Sequence, residues 1–274
     1  MSVRLRCGRH SFELTRPLVM GVVNVTPDSF SDGGSFLDRA RALQHARQLV
    51  ADGADLIDVG GESTRPGAPV VAAEQELDRV LELVSVLASE GVAVSVDTRK
   101  PEVMRAVIAA GAAMINDVSA LGEPGALEAC AASDVGVCVM HMRGEPATMQ
   151  EAPAYSDVVA EVGAYLRARA DACLAVGIAG ERIVVDPGFG FGKTLAHNLA
   201  LLRALRSFAA TGPVLAGLSR KSMLGAITGR PVGERVAASI AAALAAVTHG
   251  ASIVRVHDVR ETVDALKVWA ALND

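Results

Sequence analysis

The sequence is poor in aromatic residues, lysine and cysteine. Only nine of its 274 residues are aromatic, and four lysines stand against 22 arginines. The four cysteines show no CxxC spacing, so they predict free thiols rather than a disulfide framework or a zinc site. Because 51% of the residues are hydrophobic, the chain has enough apolar surface to fold around a core, which excludes intrinsic disorder.

Long runs of charge and long apolar runs are also absent. The formal net charge is −5 and no basic tract occurs, which argues against nucleic-acid partners. The most apolar stretch, residues 237–247, is too short to cross a membrane, and the first ten residues have no apolar run typical of a signal peptide. We therefore expect neither a nucleic-acid nor a membrane partner, and the free thiols predict a reducing cytoplasm. The overall acidity does not exclude small anionic substrates, since a local cluster of cations can override it.

Eight short apolar runs alternate with longer amphipathic segments. The runs lie near residues 17–25, 55–59, 92–97, 113–118, 135–140, 182–186, 213–218 and 252–256. The predicted helices cover residues 36–52, 72–90, 101–110, 124–133, 157–175, 195–207, 233–249 and 258–271. This alternation predicts an α/β fold, a (β/α)8 TIM barrel in a single domain over residues 1–274, with a short N-terminal β-hairpin at 3–14 beneath it. A doubly wound open sheet is the alternative architecture.

Polar residues follow nearly every predicted strand, whereas the loops that lead into the strands are short and show no such pattern. The strand-exit residues are Asn24, Asp58, Asp97, Asn116, His141, Asp186, Ser219 and Arg255. In such barrels the active site lies at the carboxyl ends of the strands. The asymmetry between the two ends therefore predicts a functional site in the strand-exit loops, where Lys100, Lys193 and Lys221 also fall.

Cationic and hydroxyl groups gather after the last two predicted strands. They are Ser219, Arg220, Lys221, Arg255 and His257. Forked guanidinium donors and an imidazole suit an anion with several oxygens, and this part of a barrel commonly binds phosphate. The alternative for these groups, Arg220 included, is a structural ion pair with Asp258 or a helix cap.

Three other polar residues, Asp97, Asn116 and Asp186, end apolar strands and should lie deep in the barrel mouth. A buried carboxylate needs hydrogen-bond donors, and a heterocycle that presents an N–H beside an amino group would supply them. The alternative is pairing with cations of the scaffold. The candidate cations are Arg99, Lys193 and Lys221.

The first two strand-exit loops are long and rich in Gly and Ser, as expected of a mobile cover over a reactive intermediate. We predict that Phe30 lines a ligand site there, because an aromatic residue in a polar loop has no obvious hydrophobic core to pack against. The segment PGFGFGKT is not a Walker A motif, since Pro187 replaces its first glycine. We expect its three glycines, Gly188, Gly190 and Gly192, to let the backbone approach a ligand.

Seven segments together resemble the dihydropteroate synthase family of the folate pathway. They are MGVVNVTPDSFSDGG, GADLIDVGGESTRPG, SVDTRKPEV, INDVSA, VVDPGFGFGKT, GLSRKSMLG and RVHDV, in order from about residue 18 to 260. The resemblance implies a transferase that condenses a dihydropterin methyl diphosphate with 4-aminobenzoate. Because no residue has the pattern of an activated nucleophile, we expect a dissociative substitution. The resemblance also implies Mg2+ as cofactor, a homodimer and inhibition by sulfonamides.

The resemblance assigns roles to individual residues. The catalytic residues would be Asp32, Asp97, Lys221, Arg255 and His257. The pterin diphosphate would bind Thr64, Asp97, Asn116, Met140, Asp186, Phe191, Lys221, Arg255 and His257. The 4-aminobenzoate would lie near Phe30, Arg65, Pro66, Ser219 and Lys221, and Asn24 would be the protein ligand of magnesium. A pterin-dependent methyltransferase module and a non-catalytic pterin-binding homologue are the alternatives.

Overall fold

The eight predicted strands form one parallel sheet in the computed structural model, which describes residues 4–25, 36–63, 70–145 and 148–273. The hairpin strands are β1 (Arg4–Cys7) and β2 (His10–Glu13). The sheet strands are β3 (Leu18–Asn24), β4 (Leu56–Gly60), β5 (Val94–Asp97), β6 (Met114–Asp117), β7 (Gly136–Met140), β8 (Ile183–Asp186), β9 (Leu215–Ala216) and β10 (Ile253–Val256).

The sheet closes on itself. Its spatial order is β8-β7-β6-β5-β4-β3-β10-β9, and a parallel bridge between Val185 of β8 and Val214, just before β9, joins the two ends. Closure removes the exposed strand edges that an open sheet would leave. The prediction of a (β/α)8 barrel is therefore confirmed, and the doubly wound alternative is wrong.

The helices cover the outside of the barrel. They are α1 (Phe36–Ala51), α2 (Ala73–Ser89), α3 (Pro101–Ala109), α4 (Ala126–Ala131), α5 (Val158–Ala175), α6 (Leu195–Arg203), α7 (Ser222–Thr228), α8 (Val236–Thr248) and α9 (Val259–Asn273). The prediction missed α7, a two-turn helix in the loop after β9 that ends at Gly229 in the left-handed conformation. Two predicted helices were too long, because α4 begins only after left-handed Gly125 and α6 gives way to a 3-10 turn over Leu205–Ala210.

Local sequence signals set where several helices begin. Pro101 occupies the first turn of α3, where its missing N–H costs no hydrogen bond. The side chain of Asp157 accepts hydrogen bonds from the backbone N–H groups of Val159 and Ala160, both at 3.0 Å, and so caps α5. These helices therefore begin within one residue of their predicted positions.

The lower half of the barrel interior is apolar. Alternate residues of each strand point inward, and those nearest the amino ends are Leu18, Met20, Leu56, Met114, Cys138, Val184, Leu215 and Ile253. The hairpin closes this end, with the fully buried side chains of Leu5 and Cys7 packed against the same cluster. A Cβ atom on Gly136 would lie 2.7 Å from the Sγ atom of Cys7, so β7 can approach the hairpin only with glycine there. The predicted hairpin beneath the barrel is confirmed.

All four cysteines are buried free thiols, as predicted. Most inward-facing positions nearer the carboxyl ends of the strands are polar, with Val22 and Met140 as apolar exceptions, so the interior changes from apolar to mainly polar along its axis. Among the described residues, no helix has the length and apolar character that crossing a lipid bilayer requires.

We predict that Leu5→Ala destabilises the fold by about 2–5 kcal/mol, because it leaves a cavity in the plugged end of the barrel. Thermal or urea unfolding measures this change. Leu174→Ala is the matched control, since that leucine on α5 is 50% exposed and its truncation should cost less than about 0.5 kcal/mol. Equal losses for the two variants would contradict the role of the hairpin as a plug.

Candidate active site

A ring of polar side chains lines the barrel mouth above the apolar half. It follows from the period of two in each strand: Asp58 shares the inward face of β4 with Leu56, and Asn116 shares that of β6 with Met114. In the register of the sheet, Asp97 lies beside Asn116. The carboxyl ends of the strands therefore bring together side chains that lie far apart in the sequence.

The guanidinium group of Arg255 lies between two carboxylates at the centre of this ring. Its Nε atom donates to Asp58 Oδ2 at 2.6 Å, and its Nη2 atom donates to Asp97 Oδ2 at 3.0 Å. Burial disfavours the charged guanidinium, but the two carboxylates outweigh burial and raise the pKa of Arg255 above its ordinary value. Arg255 is therefore a permanent cation in the barrel mouth.

Burial makes the carboxyl group of Asp97 harder to ionise than an exposed carboxyl group. Burial raises the pKa of Asp97 to about 7, Arg255 opposes this rise, and the nearby charge of Asp58 adds to it. A ligand that donates hydrogen bonds to the carboxylate would lower this pKa again. The site thus favours a ligand with N–H donors.

Asn116 is oriented by the same carboxylate that holds Arg255. Its Nδ2 atom donates to Asp58 Oδ2 at 3.2 Å. The amide oxygen of Asn116 therefore lies on the side of its amide group away from Asp58. Asn116 is 6% exposed, so this oxygen is fixed in a largely buried setting at the mouth.

Asp186 and Lys221 form a second charged group across the mouth. Asp186 Oδ1 accepts from the N–H of Gly188 at 2.7 Å, and burial raises the pKa of Asp186 despite the opposing charge of Lys221. Burial lowers the pKa of Lys221 to about 8. Its Nζ atom donates to the carbonyl of Phe189 and lies 4.5 Å from the centre of the Phe191 ring. These contacts bring the predicted pterin residues Asp186, Phe191 and Lys221 together.

Met140 ends β7 beside Asp186 and is 4% exposed. Its Cγ atom would lie 3.3 Å from a Cβ atom on Gly188, so the loop after β8 packs directly on Met140. The structure therefore places Met140 in the same wall as the loop that carries Phe191.

Ser219 and His257 contact each other at the exits of β9 and β10. The Oγ atom of Ser219 lies 3.0 Å from His257 Nδ1 and accepts from the backbone N–H of His257 at 3.2 Å. Arg220 instead pairs with Asp258, with Nη2 2.5 Å from Oδ1. The alternative of a structural ion pair for Arg220 is thus the one found.

Two glycines of PGFGFGKT have a packing role that the sequence did not predict. Gly188 and Gly192 have left-handed backbone, and a Cβ atom on either would collide with the carbonyl oxygen of His141 or Arg143, at 1.9 and 2.4 Å. These glycines allow the loop after β8 to pack on the loop after β7. The expectation that they let the backbone approach a ligand stays a prediction.

Lys193 holds the same two loops together. Its Nζ atom lies 2.9 Å from His141 Nδ1 and donates to the carbonyl oxygens of His141 at 3.2 Å and Phe191 at 2.9 Å. Burial lowers the pKa of Lys193 to about 7. The scaffold partner of Asp97 is thus Arg255 rather than Lys193, and Arg99 pairs with Glu145 instead.

The surroundings of Asn24 fit a magnesium ion that binds mainly to substrate and water. Asn24 ends β3, and its Oδ1 atom would lie 3.6 Å from a Cβ atom on Gly60, the same distance as Asp97 Cβ. Within residues 4–25, 36–63, 70–145 and 148–273, no cluster of three His, Cys, Asp or Glu side chains could hold a metal by itself. A lone amide oxygen is a suitable hard ligand for Mg2+, which takes few protein ligands beside phosphate and water.

Several predicted site residues lie outside the described residues. They are Phe30, Asp32, Thr64, Arg65 and Pro66. Their assignments as catalytic or substrate-binding residues stay predictions.

For two inward-facing polar residues the sequence predicted less than the structure shows: Asp58 was predicted only as one of the strand-exit residues, and Ser95 was not singled out. Asp58 contacts both Arg255 and Asn116, and Ser95 is its neighbour in the register of β4 and β5. Both are completely buried. The period of two along a strand identifies both as inward-facing. Asp58 lies two residues after Leu56, and Ser95 lies two residues before Asp97.

The comparisons with known proteins agree with this geometry. The family model described as pterin binding enzyme matches residues 20–257. A dihydropteroate synthase of Neisseria meningitidis serogroup B is 53% identical over 98% of this chain and 97% of its own length. The chain belongs to the dihydropteroate synthase family.

Solved structures of the family have the same fold. The dihydropteroate synthase of Xanthomonas albilineans with 4-aminobenzoic acid superposes with a TM-score of 0.94, at 52% identity, and covers 100% of this chain and 99% of that one. The Burkholderia cenocepacia dihydropteroate synthase complexed with 7,8-dihydropteroate gives a TM-score of 0.90, also at 52% identity, and covers 99% of this chain and 97% of that one. The family thus accounts for nearly the whole chain.

We predict that acid destabilises this family member partly through His141. Burial, followed by the charge of Lys193, lowers the pKa of His141 to about 3 from 6.5. Because the unfolded chain binds the proton first, the contribution of His141 to stability is present above pH 6.5 and is lost as the pH falls toward 3, by up to about 1.4 kcal/mol per pH unit.

Urea unfolding between about pH 7 and about pH 5 compares the wild type with His141→Asn, which keeps an acceptor for Lys193 but does not titrate in that range. The free energy of unfolding should fall more steeply for the wild type. Parallel curves for the two proteins would show that His141 is not the responsible group.

Proposed function

We propose that this chain is a transferase of folate biosynthesis that condenses (7,8-dihydropterin-6-yl)methyl diphosphate with 4-aminobenzoate to give 7,8-dihydropteroate and diphosphate. The observation that carries the proposal is the arrangement in the barrel mouth, where three acceptor groups face a permanent cation. The acceptors are the carboxylates of Asp97 and Asp186 and the amide oxygen of Asn116, and the cation is Arg255.

The three acceptors suit the amino edge of a pterin. A pterin presents N–H and amino donors side by side, and carboxylates only accept when ionised. Burial raises the pKa of both Asp97 and Asp186, and the N–H donors of a bound pterin would stabilise the ionised carboxylates against this effect. Apolar surface for the ring comes from Met140 and Phe191. The ammonium group of Lys221 lies over the ring of Phe191.

The diphosphate would face Arg255 and His257 at the exit of β10, with Thr64 from outside the described residues as a further partner. Both side chains carry N–H donors, and Arg255 remains charged at every physiological pH. The 4-aminobenzoate would lie near Ser219, whose hydroxyl contacts His257. Sulfonamides share the aryl amine of 4-aminobenzoate, so they are the inhibitors we expect at this position.

The reaction would proceed by dissociation. The C–O bond between the methylene carbon and the diphosphate breaks first, the electron pair leaves with the diphosphate oxygen, and the pterin ring delocalises the resulting cation. The amine lone pair of 4-aminobenzoate then forms the C–N bond, and the nitrogen loses a proton. Arg255 and His257 stabilise the charge that develops on the leaving group. We assign Asp32 to stabilising the cation.

Asn24 would hold Mg2+ together with the diphosphate. When bound, the metal ion supplies Lewis-acid stabilisation of the leaving group. Cytoplasmic localisation is also part of the proposal, and it is supported by four buried cysteines that all remain free thiols.

Two alternatives use the same barrel. A pterin-dependent methyltransferase module needs the acceptor group but no diphosphate site, and a non-catalytic homologue would bind pterin without forming product. Arg255 and His257 at one strand exit favour the synthase over both.

We predict dihydropteroate formation when the purified chain is mixed with the dihydropterin diphosphate, 4-aminobenzoate and Mg2+, and a large loss of product with a chelator. Chromatography of the products measures both outcomes.

Asp186→Asn should raise the KM for the dihydropterin diphosphate by about tenfold or more, because an amide donor replaces an acceptor. Asp171→Asn, on the exposed surface of α5, is the matched control. A wild-type chain that binds pterin but forms no product would contradict the proposal.

We further propose that the chain forms a homodimer through α7, α8 and the end of α9. The buried face of α8 packs on the barrel through Ser239, Ala243 and Val247, while small residues such as Ala241 leave its other face exposed. Ile227, Val232 and Val268 on neighbouring elements are 55%, 57% and 62% exposed. Small residues beside exposed apolar ones suit close contact with a second copy.

We predict that Ala241→Glu converts a dimer into a monomer, because it places a charge in a close helix contact. Sedimentation velocity measures the mass of the particle. Ala168→Glu, on the exposed face of α5, should leave the dimer intact. A dimer that survives Ala241→Glu would place the interface elsewhere.

A further inference from the structure

We propose that Asp58 is a positioning residue that fixes both the cation and the donor–acceptor polarity of the pterin site. The inference rests on the proposed function and deepens it, because it assigns the selection of the pterin edge to a residue that acts through Arg255 and Asn116. Asp58 is completely buried at the inward face of β4, below the mouth.

A single oxygen atom of Asp58 holds two residues of the site. Asp58 Oδ2 accepts from Arg255 Nε at 2.6 Å and from Asn116 Nδ2 at 3.2 Å. Arg255 is therefore anchored through Nε, and its outer nitrogens are directed away from β4, where Nη2 meets Asp97.

The carboxylate also decides which way Asn116 presents its amide. An ionised carboxylate has acceptors only, so the amide nitrogen of Asn116 must turn toward it and the amide oxygen must turn away. The hydrogen-bond network thus sets the orientation of an amide that would otherwise have two similar states. Asn116 consequently offers an acceptor to the ligand, and this selects a ligand edge that carries a donor.

The cost of burying Asp58 indicates that its role is not packing. Within the described part of the chain, neither its Oδ1 atom nor the Oγ atom of its neighbour Ser95 has a hydrogen-bond partner. An unpaired buried polar atom destabilises a fold. The layer below is filled by apolar residues such as Leu56 and Met114, which carry no such cost. A carboxylate at position 58 is therefore explained by what it does for Arg255 and Asn116.

The test measures binding of 6-hydroxymethylpterin and of its 2,4-dioxo analogue, in which an oxygen acceptor replaces the 2-amino donor, by calorimetry. The wild type should prefer the pterin. Asp58→Ala should weaken pterin binding by about tenfold and reduce the preference, because Asn116 is then free to present its amide nitrogen. Asp58→Asn should keep the preference, since its amide oxygen can accept from the same two donors, and should weaken binding by about threefold through loss of charge.

The matched control is Asp55→Ala. Asp55 directly precedes β4 and therefore lies at the end of the barrel opposite the mouth. Asp55 also pairs with an arginine, since its Oδ1 and Oδ2 atoms lie 2.5 and 2.9 Å from the guanidinium of Arg16. Its loss should lower stability and leave pterin affinity and preference unchanged.

Steady-state kinetics should show a higher KM for the dihydropterin diphosphate in the Asp58 variants, with the KM for 4-aminobenzoate unchanged.

A purely structural Asp58 would lower the melting temperature but leave the affinity and the preference of the folded protein as in the wild type, which would overturn the inference. If Asp58→Ala does not fold, wild-type pterin affinity in Asp58→Asn would overturn it. A wild type that binds pterin but forms no product would contradict the proposed function alone, since these binding measurements need no catalysis. A wild type that binds no pterin would contradict both.

Discussion

The charge of Arg255, held inside a barrel between Asp58 and Asp97, is the interaction on which the site depends. Burying an unpaired guanidinium in this position would destabilise the fold, and burying an unpaired carboxylate would do the same. Together they leave one cation fixed in place and raise the pKa of Arg255. The fold can therefore keep acceptors for a heterocycle and a cation for an anion within one narrow mouth.

The remainder of the barrel keeps this arrangement rigid. The apolar lower half and the hairpin fill the barrel interior below the polar ring. On one side of the ring, the loop after β8 is locked to the loop after β7 by close glycine contacts and by the ammonium group of Lys193. Phe191 and Lys221 are consequently positioned by packing as well as by their own strands.

Local pattern predicted most of the fold and the composition of the site, because both follow from the period of each strand and from the residue at its end. Asn116 and Asp186 fall where the strand ends predicted them. The partner of Arg255 was not predictable in this way, since Asp58 is 197 residues away in the sequence and the two approach each other because β4 and β10 both pair with β3. Helix α7 was missed because its seven residues are too few to show a clear helical period.

The account is tested most directly by a crystal structure of the chain with the dihydropterin diphosphate and Mg2+. It should show the amino edge of the pterin on Asp97, Asn116 and Asp186, the diphosphate beside His257, and the Nε atom of Arg255 still about 3 Å from Asp58. A pterin bound outside the barrel mouth, or an Arg255 that has turned away from Asp58 to reach the ligand, would contradict it.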